Sequence, residues 1–165
     1  MLSDNQIILI SFVLWPTLQF MGSFIANRLP MSFFSGNNRI FKARKWEMDG
    51  RFYQKYFNIK AWKEYIPDSS FLYKNIYAKK RLSDFSNDNL NLFLIESRRA
   101  ELVHLLGIFP FWIWITFSRL EVMLWMLLYA LVVNIPCIML QRYNRPRIVN
   151  YINRREALKN GVEND

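Results

Sequence analysis

The chain alternates between long apolar runs and strongly polar segments. Residues 7–26, 102–118 and 120–140 hold almost no charge, Glu121 being the exception at the edge of the third run. Runs of about 17–25 apolar residues are long enough to cross a hydrocarbon core of about 30 Å as helices. The pattern therefore predicts an all-α integral membrane protein with about three transmembrane helices, folded as a single membrane domain over residues 1–165. Three such runs in 165 residues would leave a soluble fold too little polar surface to cover them. The first run lacks a basic stretch before it and a small-residue cleavage pattern after it, so it reads as a retained span.

Between the first two runs lies a loop, 27–101, in which aromatic and basic residues alternate. Phe41, Trp46, Phe52, Tyr53, Tyr56 and Trp62 are interleaved with Lys42, Lys45, Arg51, Lys55 and Lys60. Rings at headgroup depth and cations facing anionic lipid suit a membrane interface, so interfacial amphipathic helices are predicted there. One should cover about 48–65, with Phe52, Tyr56, Ile59 and Lys63 near one stripe, and end at Pro67-Asp68-Ser69-Ser70. A further turn or two is expected over 71–81. From Asp88, a capping residue, no Gly or Pro interrupts the chain before the second span, so helix should run straight into it. Pro16, Pro110 and Pro136 are expected to bend the spans.

Charge sets the orientation. The loop 27–101 carries 15 Lys and Arg, the tail 141–165 carries 6, and the short connection around Ser118–Glu121 has a single Arg. Basic segments stay in the cytoplasm. Three spans then place the N-terminus outside and both basic segments inside, giving a multi-pass membrane protein with its C-terminus in. The overall net charge of +9 could also serve a nucleic acid, but no nucleic-acid fold is readable and the basic loop is tethered between spans. Cys137 is the single cysteine and His104 the single histidine, which excludes a zinc site of the usual kind. No cofactor motif is present.

This topology brings three polar segments to one predicted depth: Asn27-Arg28-Leu29-Pro30, Glu96 through His104, and Gln141 through Arg147. On a helix His104 lies about 60° from Glu101 and about 80° from Glu96, so the three share one side, with Arg99 one turn from Glu96. An imidazole beside a carboxylate, at the edge of an apolar run where ionisable groups are costly, has the form of a general base with its orienting partner. Catalytic roles are therefore expected for His104, Glu101 and Glu96. Substrate-binding roles are expected for Arg99, Asn27, Arg28, Arg142, Asn144, Arg145 and Arg147, because arginine forks grip phosphate and carboxylate. The plainer reading makes the Glu–Arg and Glu–His pairs ordinary helix pairs and the arginines a stop-transfer cluster.

Taken together, several strings resemble the glycosyl-4,4'-diaponeurosporenoate acyltransferases of staphyloxanthin carotenoid biosynthesis. They are Ile25-Ala26-Asn27-Arg28-Leu29-Pro30, Phe41-Lys42, Gly50, Trp62-Lys63, Asn75-Ile76-Tyr77, Ile95 through His104, and Gln141-Arg142-Tyr143-Asn144-Arg145-Pro146-Arg147. The resemblance implies transfer of a fatty acyl chain from a thioester, such as acyl-CoA, to a sugar hydroxyl of a glycosylated carotenoid or related glycolipid. On that view His104, oriented by Glu101, is the base. An arginine of the 142–147 string holds donor phosphates, Arg99 or Asn144 stabilises the oxyanion, and Glu96 orients Arg99. Membrane lipid is the expected surrounding partner, and a homo-oligomer is compatible with so few spans. The rival expectation is a non-catalytic membrane subunit that presents a lipid-binding platform to another enzyme.

Overall fold

The computed structural model describes residues 2–35, 38–66 and 87–162, and every regular element among them is helical. In chain order these are α1 (Asp4–Arg28), α2 (Met31–Ser35), a 3-10 segment (Lys45–Gly50), α3 (Arg51–Phe57), α4 (Ile59–Trp62), a 3-10 turn (Lys63–Tyr65), α5 (Asn87–Ile108), a 3-10 segment (Phe109–Thr116) and α6 (Leu120–Val162). The expected turn at Pro67–Ser70, the helix over 71–81 and the matching string Asn75–Tyr77 lie outside the described residues. The chain divides into two compact units, one of residues 1–30 and 99–138, the other of 31–98 and 139–165.

α1 starts where the sequence supplies a capping box. Ser3 Oγ accepts from the Gln6 backbone while the Gln6 side chain accepts from the Ser3 N–H, satisfying two of the amides that a helix start leaves open. Asp4 in the first turn and Arg28 in the last complement the helix dipole. The helix stops because Leu29 precedes Pro30, which disfavours α geometry, and Leu29 is extended at φ −72°, ψ 139°.

Two helices, α1 and the apolar part of α6, are long and apolar enough to cross a membrane. Little of either apolar stretch is buried inside the protein; Phe12 and Phe20 are 78% and 74% exposed. Apolar surface turned outward to this extent marks a membrane protein rather than the core helices of a soluble one. The middle run, expected as a third span over 102–118, is divided. α5 continues unbroken through Glu101 and Leu102 as expected, but α geometry ends at Ile108 and the chain goes on as 3-10 helix from Phe109. Pro110 explains the change, since its ring collides with the carbonyl four residues back and it has no N–H to donate. The third predicted span ends at about 140, yet α6 runs on for 43 residues through Pro136 and Pro146.

In the first unit, Trp15 on α1, Trp114 and Ala130 on α6 form a buried cluster. The indoles of Trp15 and Trp114 are 5.5 Å apart, Tyr129 meets Trp15 edge-on at 5.1 Å, and Trp114 Nε1 donates to Ser11 Oγ at 2.7 Å. Gly22 allows α1 to approach α5 closely, because a Cβ there would lie 3.3 Å from Leu106 Cβ. At the start of both long helices, Arg119 pairs with Asp4 at 3.0 Å on the exposed surface.

The second unit is built around α3, α4 and the 139–143 stretch of α6, with Tyr53, Ile59, Met139 and Tyr143 as its buried core. The amphipathic helix predicted over 48–65 is broken into short pieces. Met48, Asp49, Gly50 and Asn58 all have positive φ; Gly50 stands at the start of α3 and Asn58 separates α3 from α4. Gly50 is required twice over. Its φ is +83°, and a Cβ there would lie 2.9 Å from the Tyr143 carbonyl oxygen. Gly50→Ala should therefore destabilise the protein by about 1–3 kcal/mol and lower its thermal unfolding midpoint in detergent micelles, whereas Gly22→Ala, facing a Cβ that can yield by a few tenths of an ångström, should lower it less.

Candidate active site

His104 sits on the penultimate turn of α5 and is half-buried. Its Nδ1 lies 3.0 Å from Oδ1 of Asn134 on α6. Asn134 is 1% exposed, and its Nδ2 donates to the Ala130 carbonyl at 2.9 Å. That second bond fixes the amide: Nδ2 is the donor toward Ala130, so Oδ1 faces the imidazole as an acceptor. The proton of neutral His104 is thereby placed on Nδ1, leaving the lone pair on Nε2. Such a ring is poised to accept a proton at Nε2, and Asn134 stabilises the imidazolium that results.

The orienting partner is thus not the one the sequence points to. Among the described residues the hydrogen bond of His104 goes to Asn134, thirty positions away, and not to Glu101. Glu101 lies one turn before His104 on α5, fully buried and engaged in an interaction of its own. It belongs to a buried stripe of α5 with Leu94 and Ser97, at the spacing of one helix face.

A second carboxamide comes close. A Cβ placed on Gly107 would lie 2.6 Å from Gln19 Oε1, 2.8 Å from Gln19 Nε2 and 2.9 Å from Asn134 Oδ1. The absence of a side chain at Gly107 is therefore what lets amides from α1 and α6 converge over α5. His104, Asn134 and Gln19 form a polar cluster within otherwise apolar helices.

Of the other expected site residues, Asn27, Arg28, Arg99 and Glu101 belong to the first unit with His104, and Glu96, Arg142, Asn144, Arg145 and Arg147 belong to the second. Arg28 is exposed, with its guanidinium 4.6 Å from the centre of the Phe24 ring. Glu96 and Arg99 are half-buried and engaged. The arginine string is largely committed to the second unit itself. Arg142 Nη1 pairs with Glu47 Oε1 at 2.6 Å and its Nη2 donates to the Ile40 carbonyl at 2.8 Å. Arg145 is 7% exposed and donates to the Phe41 carbonyl at 3.0 Å. Arg147 donates to the Tyr143 carbonyl and stacks 3.5 Å over the Tyr143 ring, with its side chain otherwise exposed. Asn144 is half-buried.

Glu47, which no sequence signal singled out, is the hub of that unit. It is 1% exposed and accepts from Arg142, from Tyr53 Oη at 2.8 Å and from the Arg44 N–H at 2.9 Å. Burial alone would raise its carboxyl, but the bonds from the Arg44 amide, Arg142 and Tyr53 outweigh it and hold the group below the ordinary carboxylate value. Burial, and next the same carboxylate, push the Tyr53 phenol above its ordinary value.

These geometries meet clear relatives. A family model described as glycosyl-4,4'-diaponeurosporenoate acyltransferase matches residues 37–154. The chain belongs to this family. The protein of that name from Staphylococcus haemolyticus is 36% identical over 143 residues, which covers 87% of this chain and 83% of the relative. The one from Staphylococcus aureus strain N315 is 36% identical over 138 residues, covering 84% and 83%. No solved structure matches the chain. The matched region of this acyltransferase family contains His104, Gly107 and Asn134 as well as the hub of Glu47 and Arg142.

The hub makes a pH prediction. A depressed carboxyl contributes stability that is complete above its ordinary value of 4.5 and is lost as pH falls below it. A raised phenol contributes stability that is complete below 10.0 and is lost as pH rises. Unfolding midpoints measured across pH should be level between those values and fall on both sides. Glu47→Gln should flatten the acid limb. Arg142→Gln, which strands a buried carboxylate, should cost about 3–5 kcal/mol.

Proposed function

We propose that this protein transfers a fatty acyl chain from a thioester donor to a sugar hydroxyl of a glycosylated carotenoid, or of a related glycolipid, within a bacterial cell membrane. The acceptor class comes from the names of the family and its relatives. The observation that carries the chemistry is the His104–Asn134 pair, an oriented imidazole inside an apolar helix pair, where an ionisable side chain is retained at a cost.

In this reading His104 Nε2 takes the proton of the acceptor hydroxyl. The oxygen attacks the acyl carbonyl carbon, a C–O bond forms, and the C–S bond then breaks. The departing thiolate takes the proton back from the imidazolium, so the enzyme ends unchanged. Asn134 holds Nδ1–H throughout. Glu101, fully buried one turn away, would help to hold the turn of α5 that carries His104, with Glu96 and Arg99 further along the same helix. Asn27 and the exposed Arg28 at the end of α1 would hold polar parts of the substrates. In the second unit Arg147 is exposed and Asn144 half-buried, while Arg142 and Arg145 shape that unit through Glu47 and the Phe41 carbonyl.

The membrane arrangement belongs to the same proposal. α1 and the apolar part of α6 cross the bilayer, and 102–118 crosses as a third, Pro110-interrupted segment. The N-terminus lies outside, with the basic loop and the α6 extension inside. Exposed Trp46, Tyr56 and Tyr65 beside Lys45 and Lys55 would rest the second unit on the headgroups.

Replacing His104 by Ala should lower acyl transfer by about 100- to 10,000-fold while the protein still inserts and folds. Asn134→Leu, which frees the ring to turn and removes the Nδ1 acceptor, should lower it less. The measurement is mass spectrometry of lipids from cells bearing each variant. Undiminished ester formation with the His104 variant would reject this histidine as the base.

A further inference from the structure

A carboxamide in an apolar helix is costly unless something satisfies it. Gln19 is such a group. It lies in α1 between Leu18 and Phe20, half-buried, and among the described residues its side chain makes no hydrogen bond. It is not turned away from the protein: both of its terminal atoms lie where a Cβ on Gly107 would stand, beside the Asn134 oxygen that holds His104. Asn134 is fully engaged, between the imidazole and the Ala130 carbonyl. Gln19 therefore has two N–H donors available at the edge of the pair that would perform proton transfer.

We propose that Gln19 is the oxyanion-binding residue of the acyl transfer, donating from Nε2 to the carbonyl oxygen of the bound thioester; this rests on the reading of His104 as the base. As the acceptor oxygen bonds to the carbonyl carbon, the π pair moves onto the carbonyl oxygen and the hydroxyl proton moves to His104 Nε2. The amide N–H of Gln19 holds the negative oxygen until the pair returns, the C–S bond breaks and the thiolate is protonated by the imidazolium. A preformed donor in a water-poor site meets that charge without having to reorganise. Gly107 is the second half of the device, because any side chain there would occupy the space in which the amide lies. Gln19 takes over the part that sequence reading assigns to Arg99 or Asn144.

The test uses the full-length protein in phospholipid vesicles containing glycosyl-4,4'-diaponeurosporenoate, with palmitoyl-CoA as donor. Gln19→Met, of similar length but without donors, should lower kcat by about 100- to 1,000-fold with KM for palmitoyl-CoA within about two-fold. Its affinity for hexadecyl-CoA, the thioether that lacks the carbonyl, should equal that of the unaltered protein. Gly107→Ala, which displaces the amide, should lower kcat in the same direction. Near-normal kcat in Gln19→Met beside an inactive His104→Ala would overturn the role of Gln19 and leave the histidine reading standing. Activity in His104→Ala would remove that reading itself. Equal losses of kcat and thioether affinity would show that Gln19 merely packs the helices, which also overturns the proposal.

Discussion

Polar side chains placed where water cannot reach them must find each other, and most of this molecule's specific geometry follows from that constraint. In the first unit it ties Trp114 to Ser11 and His104 to Asn134, and it makes Asn134 reach back to the Ala130 carbonyl. In the second it gathers Arg142, Tyr53 and the Arg44 amide around Glu47. Apolar packing brings helices together without fixing their register. Bonds of this kind have short range and direction, so they select one register from many.

Glycine is the complement of that constraint. At Gly107 the missing side chain leaves room for two amides, and at Gly50 it leaves room for the α6 backbone. Gly50 was part of the sequence resemblance without a stated reason; its reason is a left-handed backbone pressed against the Tyr143 carbonyl. Gly107, inside an apolar run, gave no sign of its use.

What could be read in the sequence was whatever depends on neighbours along the chain. The helical class, the two long apolar helices, the unbroken passage of α5 into its apolar half and the family strings are all local or additive signals. The His104 position was legible for the same reason, as an ionisable group in an apolar run. Its partner was not, because Asn134 is one amide among the twenty-one residues of the third run and its distance from His104 in sequence has no helical meaning. Glu47 escaped for a like reason: its arginine is 95 positions away. The arginine string was legible as a family mark, but its residues were expected to face a substrate, and Arg142 and Arg145 instead hold loop carbonyls. The third run ends at about 140, yet the backbone helix passes on through Pro146, since a proline can be absorbed where neighbouring groups re-satisfy the lost bond.

The exposed ion pair between Asp4 and Arg119 works as a ruler. It aligns the beginnings of α1 and α6, and at 1.5 Å per residue Gln19 and Asn134 then each lie about 21–23 Å further along. On the proposed spanning of α1 and α6, a hydrocarbon thickness of about 30 Å would put the polar cluster roughly 8 Å beneath the opposite surface, about the depth of the first few methylenes of a lipid tail. On the proposed chemistry, a long acyl group would then stay among the tails while its carbonyl carbon comes to the imidazole.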